Sequence, residues 1–457
     1  MRRTTVTRTR QTRGSAGDDG NGNRSPRMPV SAYNIRIDGT CFDKRYSVST
    51  VRVILSGHDL EQRCGKQTRA EREKAHFSVK ALNGTYRLSA ISTGERVAYL
   101  NFHKKKMYLI LAASLAVIIF WYINRDKPIK YILRDARYAL HMQGVGFAGL
   151  VDDWLQGWRN KPMLPDGEKR IAVITGGARG IGAEVVKQLL KANMIVIIGI
   201  RRPEMAEKLI REVENSENLI VYQLDLQSLK SVKLFSSEVL KRYSTVHILV
   251  NNAGIMYGDY KLTEDGFESQ LAVNYLGHFY LTHLLLPALK NGGTPQQVSR
   301  IVNVTSCAHY PGEIDFDDIN MKKHYDTIAA YAQSKLAQLM STRYINKMLE
   351  LENAHVKCYS VHPGIVDTDL FQQTMFRKLF PWVMKMCFKT PQQGALPILY
   401  ACFDKDLLQH GGLYISNCQE GYSNSFSKNI MYQERLHTLS CELVNVKFER
   451  FGKELIL

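Results

Sequence analysis

The chain has 457 residues, long enough for two or three average domains, although one doubly wound α/β domain often exceeds about 250 residues. Its net charge of +18 suggests nucleic-acid binding, but residues 1–106 hold 22 Lys and Arg against 9 Asp and Glu and account for +13 of it. The rest of the chain is nearly balanced, and the basic segment lacks interleaved aromatic residues and any recognised module, which argues against a nucleic-acid partner.

The first thirty residues are rich in Arg, Thr, Ser and Gly and poor in large apolar groups, so they cannot bury enough surface to fold. An organelle transit peptide is an alternative interpretation. Residues 31–100 contain short apolar runs, such as 51–55, without a sustained period, and no fold is predicted for them. We therefore expect residues 1–106 to form a basic, largely disordered N-terminal segment.

Residues 107–123 form an uncharged apolar run of 17 residues that follows three consecutive lysines. At about 1.5 Å per residue, a helix of this length just crosses a hydrocarbon core of about 30 Å. Trp121 and Tyr122 suit a lipid interface. A buried core helix and an uncleaved signal-like segment are the alternatives. The run predicts a single-pass membrane anchor, but basic residues flank it equally on both sides, so its orientation is not predicted.

Residues 124–168 mix basic residues with Tyr131, Tyr138, Trp154 and Trp158. This composition suits a segment lying at a lipid headgroup layer, and it also suits an ordinary amphipathic linker. We expect this segment to connect the anchor to the domain that follows.

From Lys169 onward, short runs rich in β-branched residues alternate with helical patterns. The predicted strands are 171–175, 194–200, 219–225, 247–251, 300–305, 356–362 and 413–415. This alternation predicts an α/β fold with a doubly wound, mostly parallel sheet over residues 169–457.

The first predicted strand leads into a glycine-rich turn with the pattern T-G-x-x-x-G-x-G, which precedes a helical pattern. The free N–H groups and the dipole at a helix N-terminus favour an anion, and glycines let the backbone approach a pyrophosphate. The predicted cofactor-binding residues of this turn are Gly176, Arg179, Gly180, Ile181 and Gly182.

Arg201 and Arg202 follow the second predicted strand, where an NAD-binding fold places an acidic residue on the ribose 2′-hydroxyl. An arginine there can bind a 2′-phosphate, so the pair predicts a preference for NADP(H), with Arg179 as a second phosphate contact. Two solvated arginines at the end of a strand are the alternative, and NAD(H) stays possible.

Tyr331 and Lys335 are four residues apart in a helical pattern and so share one helix face. Reduction of a carbonyl by hydride leaves an oxyanion that needs a proton. A tyrosine, with a pKa near 10, is a poor donor, and a neighbouring ammonium is expected to lower that pKa. Taken alone, this pair also fits an ordinary surface contact.

Together, the glycine turn and the Tyr331/Lys335 pair resemble the short-chain dehydrogenase/reductase family. The resemblance implies a Rossmann fold in which Ser306 bonds the substrate oxygen and Asn274 holds a water that links Lys335 to solvent. With Tyr331 as the acid/base, these four residues would form a proton relay. The resemblance also implies further cofactor contacts, at Asp225, Leu226, Asn252, Ala253, Gly254, Pro363, Gly364 and Thr368.

The overall resemblance is to the retinol-dehydrogenase-like branch of that family. Residues 371–388 match the stretch that covers the substrate in this family, and here they are rich in aromatic and methionine residues. This implies a lipophilic alcohol, aldehyde or ketone of the retinoid, polyprenol or steroid class, or contact with membrane lipid. A helix that simply packs on the sheet is the alternative. Family analogy further implies the endoplasmic reticulum and a homodimer.

A rival hypothesis is a membrane-tethered protein that binds NADP(H) as a sensor or scaffold without turnover. The four intact relay residues argue against it. The eight cysteines are scattered, and no pair has the C-x-x-C spacing of a zinc or dithiol site. We therefore expect them to pack as small apolar side chains, and we predict no metal.

Overall fold

The computed structural model describes residues 32–35, 51–54, 76–81, 84–89, 114, 127–163, 169–371, 377 and 381–446. The chain divides into two units, Met1–Arg125 and Asp126–Leu457. The first unit contains two antiparallel strand pairs, in a region for which the sequence predicted no fold. Their strands are β1 (Ala32–Ile35) with β2 (Val51–Ile54), and β3 (His76–Ala81) with β4 (Gly84–Ser89).

The second unit is built on an eight-stranded sheet with the order β12-β11-β10-β9-β8-β5-β6-β7. Its strands are β5 (Ile171–Thr175), β6 (Ile195–Ile200), β7 (Leu219–Gln223), β8 (Ile248–Asn251), β9 (Ser299–Val304), β10 (Val356–His362), β11 (Leu413–Ser416) and β12 (Gln419–Glu420). All neighbours are parallel except β11 and β12, which pair antiparallel. The predicted parallel sheet and its seven strands are confirmed, while the two-residue β12 was not predicted.

The α-helices in the described part of this unit are α1 (Ile129–Gln156), α2 (Gly180–Lys191), α3 (Glu207–Glu212), α4 (Leu229–Arg242), α5 (Ser269–Leu271), α6 (Gly277–Gly292), α7 (Thr327–Leu351), α8 (Pro381–Cys387), α9 (Pro391–Phe403) and α10 (Ile430–Leu443). The apolar residues of α2 and α9 join one buried cluster with the sheet, and those of α4, α6, α7 and α10 join the other. Because helices cover both faces, the central strands β5, β8 and β9 are buried at every position.

The order of the strands reverses at β5, which pairs with β6 on one side and with β8 on the other. The crossovers that leave these strands therefore turn to opposite faces of the sheet, which opens a crevice at the carboxyl ends of the strands. Most of the predicted cofactor-binding residues, and Ser306, follow strands at this edge.

Helix α1 is the feature that the sequence did not foresee, because its segment was expected to be a connection. It forms one helix of 28 residues within the same unit as the sheet, and it packs against α7 and the turn Cys307–His309.

The predicted span 107–123 lies outside the described residues, apart from Ser114. Within the described ranges, no helix has both the length and the apolar character needed to cross a bilayer.

Candidate active site

The glycine-rich turn joins β5 to α2 and brings backbone atoms unusually close together. A Cβ on Gly182 would lie 2.4 Å from the carbonyl oxygen of Gly176, so only glycine fits there. Arg179, the N-cap of α2, forms no side-chain capping hydrogen bond. The first amides of α2 therefore keep their hydrogen-bonding capacity for an anion, and the turn fits a dinucleotide pyrophosphate.

Thr175 ties this turn to the segment after β8. Its Oγ1 accepts hydrogen bonds from the backbone N–H groups of Asn252 and Ala253, both at 3.0 Å, while the Asn252 side chain donates to the Thr175 carbonyl at 2.9 Å. The Thr175 hydroxyl also lies 2.8 Å from Nε2 of His278. Burial lowers the pKa of His278 to about 3, so the ring is neutral and its Nε2 can accept a hydrogen bond from the Thr175 hydroxyl.

Sequence reasoning missed both Thr175 and His278 as supports of the site. The available signal was weak, since a threonine at a strand end and a histidine in a helix are common.

The residues predicted to lie around the adenosine ribose follow β6 and β7, which are neighbouring strands. Arg201 and Arg202 are both exposed just after β6, and neither guanidinium forms an ion pair with another residue of the described ranges. Asp225 accepts a hydrogen bond from the backbone N–H of Gln227 at 2.9 Å, and Leu226 is buried beside it. Both arginines are thus available to a 2′-phosphate.

Arg179, which was predicted to be a second phosphate contact, forms an ion pair instead: its guanidinium lies 3.0 Å from the Asp369 carboxylate. Both side chains are largely exposed, so this ion pair contributes little stability.

Tyr331 and Lys335 lie on α7, where both side chains are buried, and the Lys335 Nζ is 5.7 Å from the centroid of the Tyr331 ring. Ser306 follows β9, and its side chain lies close enough to Tyr331 to lower the pKa of that phenol. Thr305 donates a hydrogen bond to the Lys335 carbonyl at 2.9 Å, which fixes the end of β9 against α7. The structure therefore brings Ser306, Tyr331 and Lys335 together.

The pKa values differ from the expectation that Lys335 lowers that of Tyr331. Burial raises the pKa of Tyr331, and the Ser306 side chain opposes this only in part. Burial also lowers the pKa of Lys335 to about 7. The physical reason is the buried interior, which disfavours both the tyrosinate and the ammonium. The Lys335 Nζ donates instead to the Val304 carbonyl at 3.0 Å and to the Gln338 side chain at 2.9 Å. Tyr331 is consequently protonated at neutral pH.

Asn274 lies in a π-helical stretch, Ala272–Leu276, just before α6. Such interruptions of an α-helix are frequent at functional sites. Its side chain accepts from the Ile255 N–H at 2.8 Å and donates to the Ile255 carbonyl at 2.9 Å and to Ser334 at 3.0 Å. A Cβ built on Gly254 would lie 3.4 Å from the Asn274 Oδ1 and 3.7 Å from the Lys335 Nζ. Asn274, Gly254 and Lys335 are therefore immediate neighbours.

The loop after β10 starts with the buried Pro363 and bends at Gly364, whose φ is +89°. A Cβ on Gly364 would lie 2.6 Å from the Lys389 Nζ and 2.7 Å from an oxygen of Asp153. Further along, the Thr368 Cγ2 is 3.6 Å from the position of a Cβ on Gly180. The loop thus reaches the glycine turn, as a segment that holds the nicotinamide would have to do.

Asp153 of α1 anchors this loop and was missed by sequence reasoning. It accepts a hydrogen bond from the Ile365 N–H at 2.8 Å and pairs with Lys389 at 2.7 Å, with side-chain exposures of only 6% and 9%. Nothing in the sequence links Asp153 to Lys389, more than two hundred residues away.

One group of three described residues has the donor types of a transition-metal site: His283, His437 and Cys441, whose ligand atoms lie within 4.8 Å of one another. The ring of His283 is 4.2 Å from that of Phe279, and the ring of His437 is 4.7 Å from that of Tyr344, as in an aromatic core. None of the three belongs to the predicted site. The six described cysteines are all free thiols.

Comparison with known proteins agrees with this geometry. Residues 170–377 match the family model described as short chain dehydrogenase. The chain is 35% identical over 325 residues to a polyprenol dehydrogenase of Homo sapiens, covering 69% of this chain and 98% of that protein. It is 39% identical over 294 residues to a polyprenol dehydrogenase of Danio rerio, covering 63% and 90%.

Retinol dehydrogenase 11 of Homo sapiens is 35% identical over 283 residues, covering 61% of this chain and 87% of that protein. Among solved structures, an uncharacterized protein from Mycobacterium paratuberculosis is similar, with a TM-score of 0.51 and 31% identity. The match covers 62% of this chain and 97% of that one.

Proposed function

Because this chain belongs to the short-chain dehydrogenase/reductase family, whose members are NAD(P)-dependent alcohol dehydrogenases and carbonyl reductases, we propose that it is a membrane-anchored oxidoreductase for lipophilic alcohols and their carbonyl counterparts. The substrate class is retinoid, polyprenol or steroid, and the preferred cofactor is NADP(H). The names of the relatives support the class without choosing among its members.

One observation carries the chemistry: the Ser306 and Tyr331 side chains are neighbours at the carboxyl edge of the sheet, with Lys335 buried beside Tyr331. Two neighbouring hydroxyl groups can both reach a single substrate oxygen. Ser306 then orients that oxygen, and Tyr331 donates a proton to it during reduction or accepts one during oxidation.

The other predicted site residues bind the cofactor and maintain the supply of protons to Tyr331. NADP(H), when bound, supplies or accepts the hydride. Lys335 contacts the nicotinamide ribose and maintains the proton supply of Tyr331, while Asn274 links Lys335 to solvent through a water molecule. The turn residues of α2 hold the pyrophosphate, and Arg201 with Arg202 binds the 2′-phosphate. The exposure of both arginines supports this assignment.

The anchor is proposed from the apolar sequence 107–123. With it goes the division into a basic segment 1–106, the anchor, a connecting segment 124–168 and the catalytic domain from residue 169. Localisation in the membrane of the endoplasmic reticulum and a homodimeric state follow from family analogy.

The test uses the purified full chain in detergent with NADPH and a panel of retinal, a polyprenal, a steroid ketone and short aldehydes. Loss of absorbance of the reduced cofactor reports turnover, and Tyr331→Phe is the matched control. We expect turnover with at least one lipophilic carbonyl that exceeds turnover of the short aldehydes. If NADPH binds tightly but no substrate is reduced, the chain is a cofactor-binding sensor or scaffold instead.

A further inference from the structure

The outer face of α1 is apolar although it is exposed. Leu133, Leu140, Phe147 and Trp154 are each seven residues apart, and the last three are 75%, 70% and 83% exposed. A seven-residue spacing returns to nearly the same side of a helix, so these side chains form a single ridge, hereafter the α1 ridge. At about 1.5 Å per residue, the 28 residues of α1 extend for roughly 42 Å.

The inner face of α1 already satisfies the packing of the helix onto its domain. Tyr138 is buried there, and the ring of Tyr131 stacks on that of His324 at 4.1 Å. Gly149 lies so close to the loop after β10 that an added Cβ would be 3.2 Å from Ile365. A helix anchored on one side and open to water on the other should carry polar residues outside. The α1 ridge therefore needs a second apolar surface.

The charges around the α1 ridge indicate which surface covers it. The three acidic residues of α1 are bound to the domain: Asp135 pairs with His324, Asp153 with Lys389, and Asp152 accepts a hydrogen bond from Asn417. By contrast, the basic side chains Lys127, Lys130 and Arg159, at the two ends of the helix, are exposed. Apolar residues flanked by exposed cations are the pattern of a helix that lies on an anionic lipid surface.

Two further features agree with a bilayer. In the sequence, the apolar run 107–123 ends six residues before α1 begins, so the chain enters the helix from a segment suited to hydrocarbon. Helix α8 ends two residues before Lys389, the partner of Asp153, and therefore close to the C-terminal end of α1. It exposes Trp382 by 61% and Met386 by 76%, one turn apart.

We propose that α1 lies along the surface of an anionic phospholipid bilayer, with the α1 ridge inserted among the acyl chains. The occupant is lipid rather than a second protein chain, because exposed cations flank the ridge at both ends, while the exposed carboxylate of Asp152 is hydrogen-bonded to Asn417. The inner face of the same helix contacts Cys307 and Ile365, next to Ser306 and Gly364. A membrane-dissolved substrate, which the proposed function assigns to this chain, then reaches Tyr331 from the lipid side of α1.

The test introduces the photoreactive residue p-benzoylphenylalanine at position 140 or 147 of the full chain. The protein is reconstituted into vesicles of phosphatidylcholine with phosphatidylserine, and adducts are identified by mass spectrometry. Leu234, which is exposed by 59% on α4, is the matched control position. We expect phospholipid adducts at 140 and 147, a loss of adduct yield in vesicles without phosphatidylserine, and only background yield at 234.

A second variant separates insertion of the ridge from mere proximity to the vesicle. With the probe at position 154, replacing Leu140 and Phe147 together by Glu should abolish the lipid adduct, since two carboxylates cannot enter the acyl region. Adducts between two copies of the chain, or equal lipid yields at 147 and 234, would overturn the proposal. The readout does not depend on turnover, so a wrong substrate class would leave it unchanged.

Discussion

Replacing Asp153 by Ala tests whether α1 is part of the catalytic machinery or only attached to it. Asp153 has two buried partners, the Ile365 N–H at 2.8 Å and the Lys389 ammonium at 2.7 Å. Its removal leaves Lys389 with the side-chain oxygen of Asn417 and no buried anion. Breaking a buried ion pair by removing one member costs roughly 3–5 kcal/mol.

That loss should lower the melting temperature by roughly 6–10 °C, because each kcal/mol shifts a domain of this size by about 2 °C or slightly more. Thermal unfolding of the detergent-solubilised chain, followed by circular dichroism, measures it. Asp152→Ala is the matched control, since Asp152 is exposed and makes one hydrogen bond with Asn417 at 2.8 Å. The loss of unfolding free energy in Asp152→Ala should stay near or below about 1 kcal/mol.

Cofactor affinity gives a second readout that a purely structural role would not change. Because Ile365 follows Gly364 directly, loss of the acceptor for the Ile365 N–H should loosen the loop after β10 and weaken NADPH binding. Fluorescence titration with NADPH, at a temperature where the variant is folded, measures this affinity. The double variant Asp153→Leu with Lys389→Met removes both charges and should be more stable than either single variant. If Asp153→Ala melted within a degree of the parent and bound NADPH equally well, the anchoring role of α1 would be refuted.

Three more outcomes are expected. Tyr331→Phe should reduce turnover by about 10²–10⁴-fold while NADPH still binds, and unchanged turnover would assign the proton to another group. Arg201→Asp should weaken binding of NADPH more than that of NADH in parallel titrations, and equal affinity of the parent for both cofactors would contradict the assignment. Since the folded pKa of Lys335 is about 7 against an ordinary 10.5, the unfolded chain binds the extra proton between these values. Stability should therefore rise with pH across that window, and Lys335→Met should raise the melting temperature more at pH 7 than near pH 10.

The sheet could be predicted from sequence because its central parallel strands are buried on both faces. Such strands appear as short apolar runs, and the strand before the glycine turn, β5, is buried at every residue. The positions of Ser306 and Tyr331 could also be predicted, because Ser306 follows a strand and Tyr331 lies in a helix, and both elements have recognisable patterns. The pattern could not predict the protonation state of Tyr331, because that state depends on burial by elements far away in the chain.

Helix α1 shows the opposite case. Its segment carries apolar residues on two sides, so no single amphipathic face marks it as a helix of the domain. The contacts that hold it, such as those of Asp153 with Ile365 and Lys389, join residues more than two hundred positions apart. No local pattern encodes a pairing of this kind, and the segment resembled a linker for that reason.

Helix α1 connects the exposed surface of the protein with the candidate active site through its two faces. The inner face stands against Cys307 and Ile365, which directly follow Ser306 and Gly364 in the chain. Because an added methyl on Gly149 would already press on Ile365, the helix has little room to move inward. Any force on the outer ridge is therefore passed to the loop that carries Gly364. A bilayer that holds α1 in place would in this way also hold the loop after β10.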